Sequence, residues 1–402
     1  MDGRYDVVIV GGGIVGLATG LALLDRLPEL RLVVLEKEPR VGSHQTGHNS
    51  GVLHSGIYYR PGSLKARLCR EGGERLRAFC DEHGIACVER GKLVVAVNRE
   101  EVPRLEELLE RGTANGVQGL EILPGGAIPE VEPHARGVAA LRVPGTAVVD
   151  FGEVTAGMAG ELAARDAEVV VGAEALGGER RGGRWRVRTT AGDVEAGLVV
   201  ACAGLQADRV GRLLGARSPV RIVPFRGEYW SVGRPDLVRG LVYPVPDPRF
   251  PFLGVHLTRN VREEVYAGPN AMIALSREGY ERRRASARDA WDALAYRGTL
   301  ALARRNWRTG TSELVRSWGK GAFAAAARRL VPELESSDLV ARSDGIRAQA
   351  VTRDGRLVDD FATLWSEGAL HVLNAPSPAA TASLAIGEWL AGALDAAGAL
   401  VG

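Results

Sequence analysis

The chain has 402 residues, more than one typical hydrophobic core supports, so two domains are expected. Its composition, 46% hydrophobic and 25% charged, is that of an ordinary folded soluble protein, and 51 Lys and Arg against 49 Asp and Glu leave a formal charge of only +2, which removes any electrostatic case for a nucleic-acid partner. The four cysteines, Cys69, Cys80, Cys87 and Cys202, show neither C-x-x-C nor zinc-ligand spacing, so reduced thiols, a cytoplasmic setting and no metal site are expected.

The chain enters an apolar strand, Asp6 to Val10, almost at once, so no signal or transit peptide is expected. Glycines follow at 11, 13 and 16, then an apolar helix to about Leu27, a strand from Leu32 to Leu35 and an acid at Glu36. This is the order of a βαβ dinucleotide cradle. Gly11 permits the tight turn, Gly13 lets the backbone approach a pyrophosphate, and Gly16 lets helix and strand pack closely; Ile14 and Val15 start a helix whose free N–H groups suit phosphate. Glu36, twenty residues after Gly16, is placed to accept hydrogen bonds from a ribose, with Lys37 beside it.

The run HQTGHNSG, from His44, is too polar and glycine-rich for core. Thr46, His48, Asn49, Ser50 and Gly51 are expected to wrap the pyrophosphate and the edge of the cofactor. An amphipathic helix follows from Pro61 to about Gly84, with a break expected near Gly72 and Gly73. Gly91 to Asn98 reads as a strand, the next charged stretch as a helix with a solvated face, and Leu123 to Pro133 as a proline-rich connector. A strand at Val138 to Val143, and a short strand and helix over Thr146 to Arg165, return to βα alternation.

Short strands are expected at Val169 to Val171, Trp185 to Thr189 and Val194 to Gly204; Ala175 and Gly204 fall where strand ends adjoin the cradle. Ser218 to about Arg259 is β-rich, with prolines marking edges and turns, and Gly279 to about Arg329 is helical. The end of the chain reads as strand, turn, strand and a final helix from about Ser377. The Ala-rich segment 379–401 carries Glu388 and Asp395 and suits a helix buried on a sheet better than a membrane span; peripheral membrane contact stays open. Two interleaved domains are expected: 1–86, 146–216 and 335–402 for the cofactor, and 87–145 and 217–334 for the substrate. Only one G-x-G-x-x-G occurs, so one dinucleotide is bound; the fingerprint does not separate NAD from FAD, but the polar loop and a helix start aimed at a flavin favour FAD.

The runs HQTGHNSGVLHSGIYYRPGSLKARLC, FRGEYW, PFLGVHLTR, GPNA, GIRAQAV and VLNAPSPAATASLAIGE together resemble the L-2-hydroxyglutarate dehydrogenase/oxidase family of D-amino-acid-oxidase-like flavoproteins, over about residues 4 to 390. The resemblance implies an α/β fold: a Rossmann-like FAD-binding domain with an interleaved α+β substrate domain containing an antiparallel sheet. It implies oxidation of a small dicarboxylate hydroxy acid, L-2-hydroxyglutarate, to 2-oxoglutarate, with hydride passing from the α carbon to flavin N5 and electrons then going to oxygen or a quinone, in the cytoplasm or at the inner face of the cell membrane. The match is weakest over 282–329.

That chemistry needs a base for the hydroxyl proton and cations for two carboxylates. His54 is the first expectation for the base and His256 the second, because neutral imidazole accepts a proton near neutral pH. Arg226 and Arg347 are the expected carboxylate clamps, since guanidinium pairs bidentately with planar anions; Lys65, Arg67 and Arg259 are possible helpers. Tyr59, with Tyr58, is expected to line the pocket, and Asn374, Ser377 and Pro378 to complete the cradle. No cysteine follows Cys202, so covalent attachment through a late cysteine is excluded and noncovalent FAD is expected. Another small hydroxy or amino acid as substrate, or a non-catalytic flavin subunit, are the alternatives.

Overall fold

Strand Arg4–Val10 ends in an unbroken apolar run, Val7 to Val10, and both faces of that run are covered, as a central parallel strand requires. In the computed structural model, which describes residues 3–247, 254–270, 272–281, 284–305 and 320–400, this strand pairs in parallel with Leu32–Leu35 on one side and Val194–Ala201 on the other. Glu168–Val170 extends the sheet beyond Leu32–Leu35, and Ala369–Asn374 pairs in parallel with the second half of Val194–Ala201. An antiparallel hairpin, Ala175–Arg181 and Arg184–Thr189, forms the far edge.

Val7 and Ile9 point to one face, where helices Ile14–Arg26, Leu64–Glu82, Phe151–Ala164 and Ser383–Ala396 lie; Val8 and Val10 point to the other, with Trp185 and Leu214. The first and last helices touch through small residues: a Cβ on Gly387 would stand 2.3 Å from the carbonyl oxygen of Ala18. No helix among the described residues is long and apolar enough to cross a membrane.

The second large sheet runs, edge to edge, Leu339–Ala341, Trp230–Val232, Val265–Gly268, His256–Arg259, Leu241–Pro244, Lys92–Ala96, Ala139–Val143, Glu121–Pro124. Its pairs are antiparallel except Leu241–Pro244 with Lys92–Ala96. Helix Lys320–Arg328 covers one face; helix Val102–Ala114 and the loop through Ile57 and Tyr58 pack on the other. Leu339–Ala341 belongs to this sheet, so the chain leaves it only after Ala341, a few residues past the boundary expected at 335. The long antiparallel pair Val220–Gly227 and Gly345–Thr352 stands apart from both sheets.

Four local readings differ. Helix Leu64–Glu82 is continuous: Gly72 serves a close approach, since a Cβ there would stand 2.5 Å from Cα of Ala382. The connector at 123–133 contains the edge strand Glu121–Pro124 and a helical turn, Ile128–Val131. The final helix begins at Ser383, with Ser377 in the turns before it, so no macrodipole starts at Ser377. The helical stretch is divided into Ala287–Leu294, Arg297–Arg305 and Lys320–Arg328; its portion 306–319 lies outside the described residues.

Candidate active site

The carboxyl end of strand Arg4–Val10 opens onto a cavity of about 1420 Å³, larger than the several hundred to about 1,000 Å³ of most small-molecule sites and roomy enough for a dinucleotide with a small acid. Gly11 has φ +117°, and a Cβ there would stand 2.4 Å from the carbonyl oxygen of Cys202; a Cβ on Gly16 would stand 2.0 Å from the carbonyl oxygen of Gly11. Gly13, at the N-cap, has only the Thr46 hydroxyl nearby, at 3.6 Å from such a Cβ, so its backbone lies open to the cavity. The cradle is therefore built for a group approaching the helix N-terminus closely.

Glu36 is buried, accepting from the Gly12 N–H at 2.8 Å and from the Glu38 N–H at 2.9 Å, and it still lines the cavity. Thr46 Oγ1 accepts from the Ile14 N–H at 3.2 Å, and Asn49 holds its loop by donating to the Thr46 carbonyl at 2.7 Å and accepting from the Gly51 N–H at 2.8 Å. His48 stacks on Tyr280 with ring centroids 3.8 Å apart. Lys37 pairs with Glu38 and, at 3.0 Å, with Glu278; His44 bonds Glu38 and the Tyr280 hydroxyl. Those acids and His44 converge closely enough to suggest a cation site, but the Lys37 ammonium already occupies their neighbourhood.

Val15, Ser50, Ala175, Gly204, Ser377 and Pro378 also line the cavity. Gly16 and Gly51 do not; each serves packing, Gly51 with φ +67° against the Val149 carbonyl. Asn374 lines the cavity while its buried amide accepts from the Ala350 N–H and donates to the carbonyls of Val358 and Asp360, fixing the strand ends around it.

His54, Tyr59, His256 and Arg347 all reach this cavity. The His54 backbone N–H donates to Thr381 Oγ1 at 3.0 Å, which ties it to the segment leading into the last helix; its Nε2 is 3.4 Å from Ser377 Oγ, and its Nδ1 is screened from solvent without a protein partner. His256 stacks on Tyr243 at 3.9 Å, and its Nδ1 lies 3.0 Å from the Gly254 carbonyl, which makes Nδ1 the protonated nitrogen and Nε2 the acceptor. Burial first, then nearby cations, pushes both imidazoles down to about 3. Both are uncharged at neutral pH.

Arg226 does not reach the cavity lining. The pairing places Arg226 opposite Ile346 and Arg347 opposite Phe225, so the two guanidiniums leave opposite faces of one ribbon. Arg226 is buried, donates to the carbonyl of Gly279 at 3.1 Å and lies 3.5 Å from the carboxylate of Asp344. It holds the backbone of Gly279, Glu281 and Arg284 rather than an open anion site. Lys65 pairs with Asp359 at 3.0 Å and Arg259 with Glu263 at 2.7 Å, while Arg67 is exposed.

Three groups were not singled out by sequence: Tyr229 and Tyr243, which line the cavity, and Lys92, buried beside it. Tyr229 lay inside the quoted run FRGEYW. The signal for Lys92 was a lysine within the otherwise apolar strand KLVVA.

Comparison with known proteins agrees with this geometry. The family model described as "FAD dependent oxidoreductase" matches residues 6–393. A curated relative from Indibacter alkaliphilus, named L-2-hydroxyglutarate dehydrogenase, is 45% identical over 96% of this chain and 98% of its own length. The Homo sapiens mitochondrial protein of that name is 43% identical over 96% of this chain and 88% of its own, and that of Escherichia coli K12 is 42% identical over 96% and 92%. Among solved structures, L-alpha-glycerophosphate oxidase from Mycoplasma pneumoniae with FAD bound superposes with a TM-score of 0.77 at 22% identity, over 96% of this chain and 93% of the other. Glycine oxidase from Geobacillus kaustophilus gives 0.73 at 22% identity, over 98% and 95%.

Proposed function

Starting from the fact that this chain belongs to the FAD-dependent oxidoreductase family and, within it, to the L-2-hydroxyglutarate dehydrogenases, we propose how its own residues carry out the reaction. The protein is an FAD enzyme that oxidises L-2-hydroxyglutarate to 2-oxoglutarate. FAD held noncovalently in the cradle of Gly11, Gly13, Glu36 and Thr46 supplies the acceptor for the electrons that leave the substrate α carbon.

His54 takes the hydroxyl proton. Its imidazole stays uncharged through the neutral range, so a lone pair is available, and its backbone is anchored to the segment carrying Ser377. Arg347 binds one substrate carboxylate, being the one of the two arginines on this ribbon that lines the cavity. Tyr59, pressed well above its usual pKa by burial, stays a neutral hydroxyl and shapes the pocket. His256, with its acceptor nitrogen fixed, is the second base.

The observation that carries this reading is one continuous cavity joining the dinucleotide cradle to two uncharged histidines and Arg347. The test is anaerobic mixing of the yellow holoenzyme with L-2-hydroxyglutarate. Loss of the oxidised-flavin absorbance band, with 2-oxoglutarate formed in equal amount, is expected; an unchanged spectrum would refute the reading. The electrons then pass to oxygen or to a membrane quinone, which peroxide measurement during aerobic turnover distinguishes.

A further inference from the structure

Lys92 is 3% exposed, yet it has no ion pair and no side-chain hydrogen bond among the described residues. Burying an ammonium costs several kcal/mol unless something compensates it. Here the visible compensation is aromatic: Nζ lies 4.8 Å from the centroid of the Tyr58 ring and 5.3 Å from that of Tyr243. Both rings line the cavity, and the Tyr58 hydroxyl has no hydrogen-bond partner among the described residues.

The strand register explains the placement. Lys92 pairs with Leu241 on one side and Val143 on the other, so it shares the sheet face that carries Tyr243 and, on the next strand, His256. The ionisable groups around it are Cys69 from helix Leu64–Glu82, His54 and Tyr58 from the loop after Val52–Leu53, Tyr243, His256, and Arg347 from Gly345–Thr352. None of these supplies a carboxylate.

We propose that Lys92 is a specificity-determining cation of the site, providing with Arg347 the second positive charge that selects a dicarboxylate over a monocarboxylate. This rests on the reading of the substrate as L-2-hydroxyglutarate, a dianion at neutral pH. Burial brings the Lys92 amine down to about 7, so part of the free enzyme carries it uncharged there. A dianion entering the cavity favours the ammonium, and its binding near neutral pH therefore takes up a proton. His54 and His256 titrate near 3 and lie far from that window.

The test uses the holoenzyme, with glutarate as a dicarboxylate that cannot be oxidised and butyrate as its monocarboxylate counterpart, binding being read from the perturbed flavin spectrum. Wild type is expected to prefer glutarate, to bind it more weakly as pH rises through about 7 and to take up a proton, seen by calorimetry in buffers of different ionisation enthalpy. Lys92→Met should cut the glutarate-over-butyrate preference by roughly tenfold or more, the scale of one unit charge acting across the Tyr58 and Tyr243 rings at intermediate dielectric, and remove the pH dependence. A Lys92→Met holoenzyme with wild-type preference and wild-type pH dependence would overturn the proposal. If that variant loses FAD, wild type decides alone: glutarate binding without proton uptake at neutral pH overturns it equally. Failure of wild type to be reduced by L-2-hydroxyglutarate would instead strike the functional reading.

Discussion

An imidazole serves as a base only while it is uncharged, and burial gives His54 and His256 that state without a carboxylate partner. His54→Asn is expected to slow flavin reduction by roughly a hundredfold or more, the usual scale for a lost general base, while FAD content is unchanged. His256→Asn, measured by the same stopped-flow reduction, should cost less; the reverse order would exchange their roles. Arg226→Met should leave the substrate KM nearly unchanged and lower stability by about 3 kcal/mol, because it removes the guanidinium of a buried ion pair with Asp344; denaturant melts check this. The two arginines show what sequence can and cannot say about a residue. Both stood out as guanidiniums in conspicuous motifs, but which one faces the cavity depends on the register of Val220–Gly227 against Gly345–Thr352, which neither strand encodes alone. Lys92 was hidden for the opposite reason: within an apolar strand it reads as an edge or solvated charge, and only the rings of Tyr58 and Tyr243 reveal it as buried.

At the scale of elements, the glycines have two distinct uses. In the cradle they open backbone toward a ligand; at Gly72 and Gly387 they let helices meet. A Cβ on Gly387 would collide with backbone rather than with a movable side chain, so Gly387→Ala is expected to destabilise by about 1–3 kcal/mol and to weaken FAD retention, as thermal melts and flavin content would show. The same ambiguity explains the expected break in helix Leu64–Glu82: a glycine pair reads as a helix breaker until its neighbour, Ala382, is seen. The βαβ opening was plain because strand, turn, helix and acid reinforce one another within a short window. Ala175–Arg181 was not, since ALGGERR has neither alternation nor β-branched residues, and its strand exists because Arg184–Thr189 folds back on it.

The whole molecule couples its pH behaviour to buried neutral imidazoles. His256 falls from 6.5 to about 3 on folding, and His371, 1% exposed with both ring nitrogens unpartnered, is also lowered by burial. The unfolded chain therefore binds more protons below the ordinary histidine range, so the stability that His256 contributes is complete above about 6.5 and is lost as pH falls toward about 3, with His371 acting in the same direction. Unfolding midpoints should drop through that range, and His371→Leu should flatten the fall; a midpoint independent of pH there would contradict it. Lys92 works on the alkaline side, where stability of the ligand-free protein rises with pH between about 7 and 10.5.

The strand Ala369–Asn374 seats beside Val194–Ala201, and the last helix lies against the first. The glycines of the cradle are synthesised long before the groups that close it, Asn374, Ser377 and Pro378. A nascent chain thus displays the nucleotide fingerprint well before it has a finished pocket. Flavin capture accordingly waits for Ala369–Asn374 to seat, and a chain cut before Ala369 would accumulate colourless.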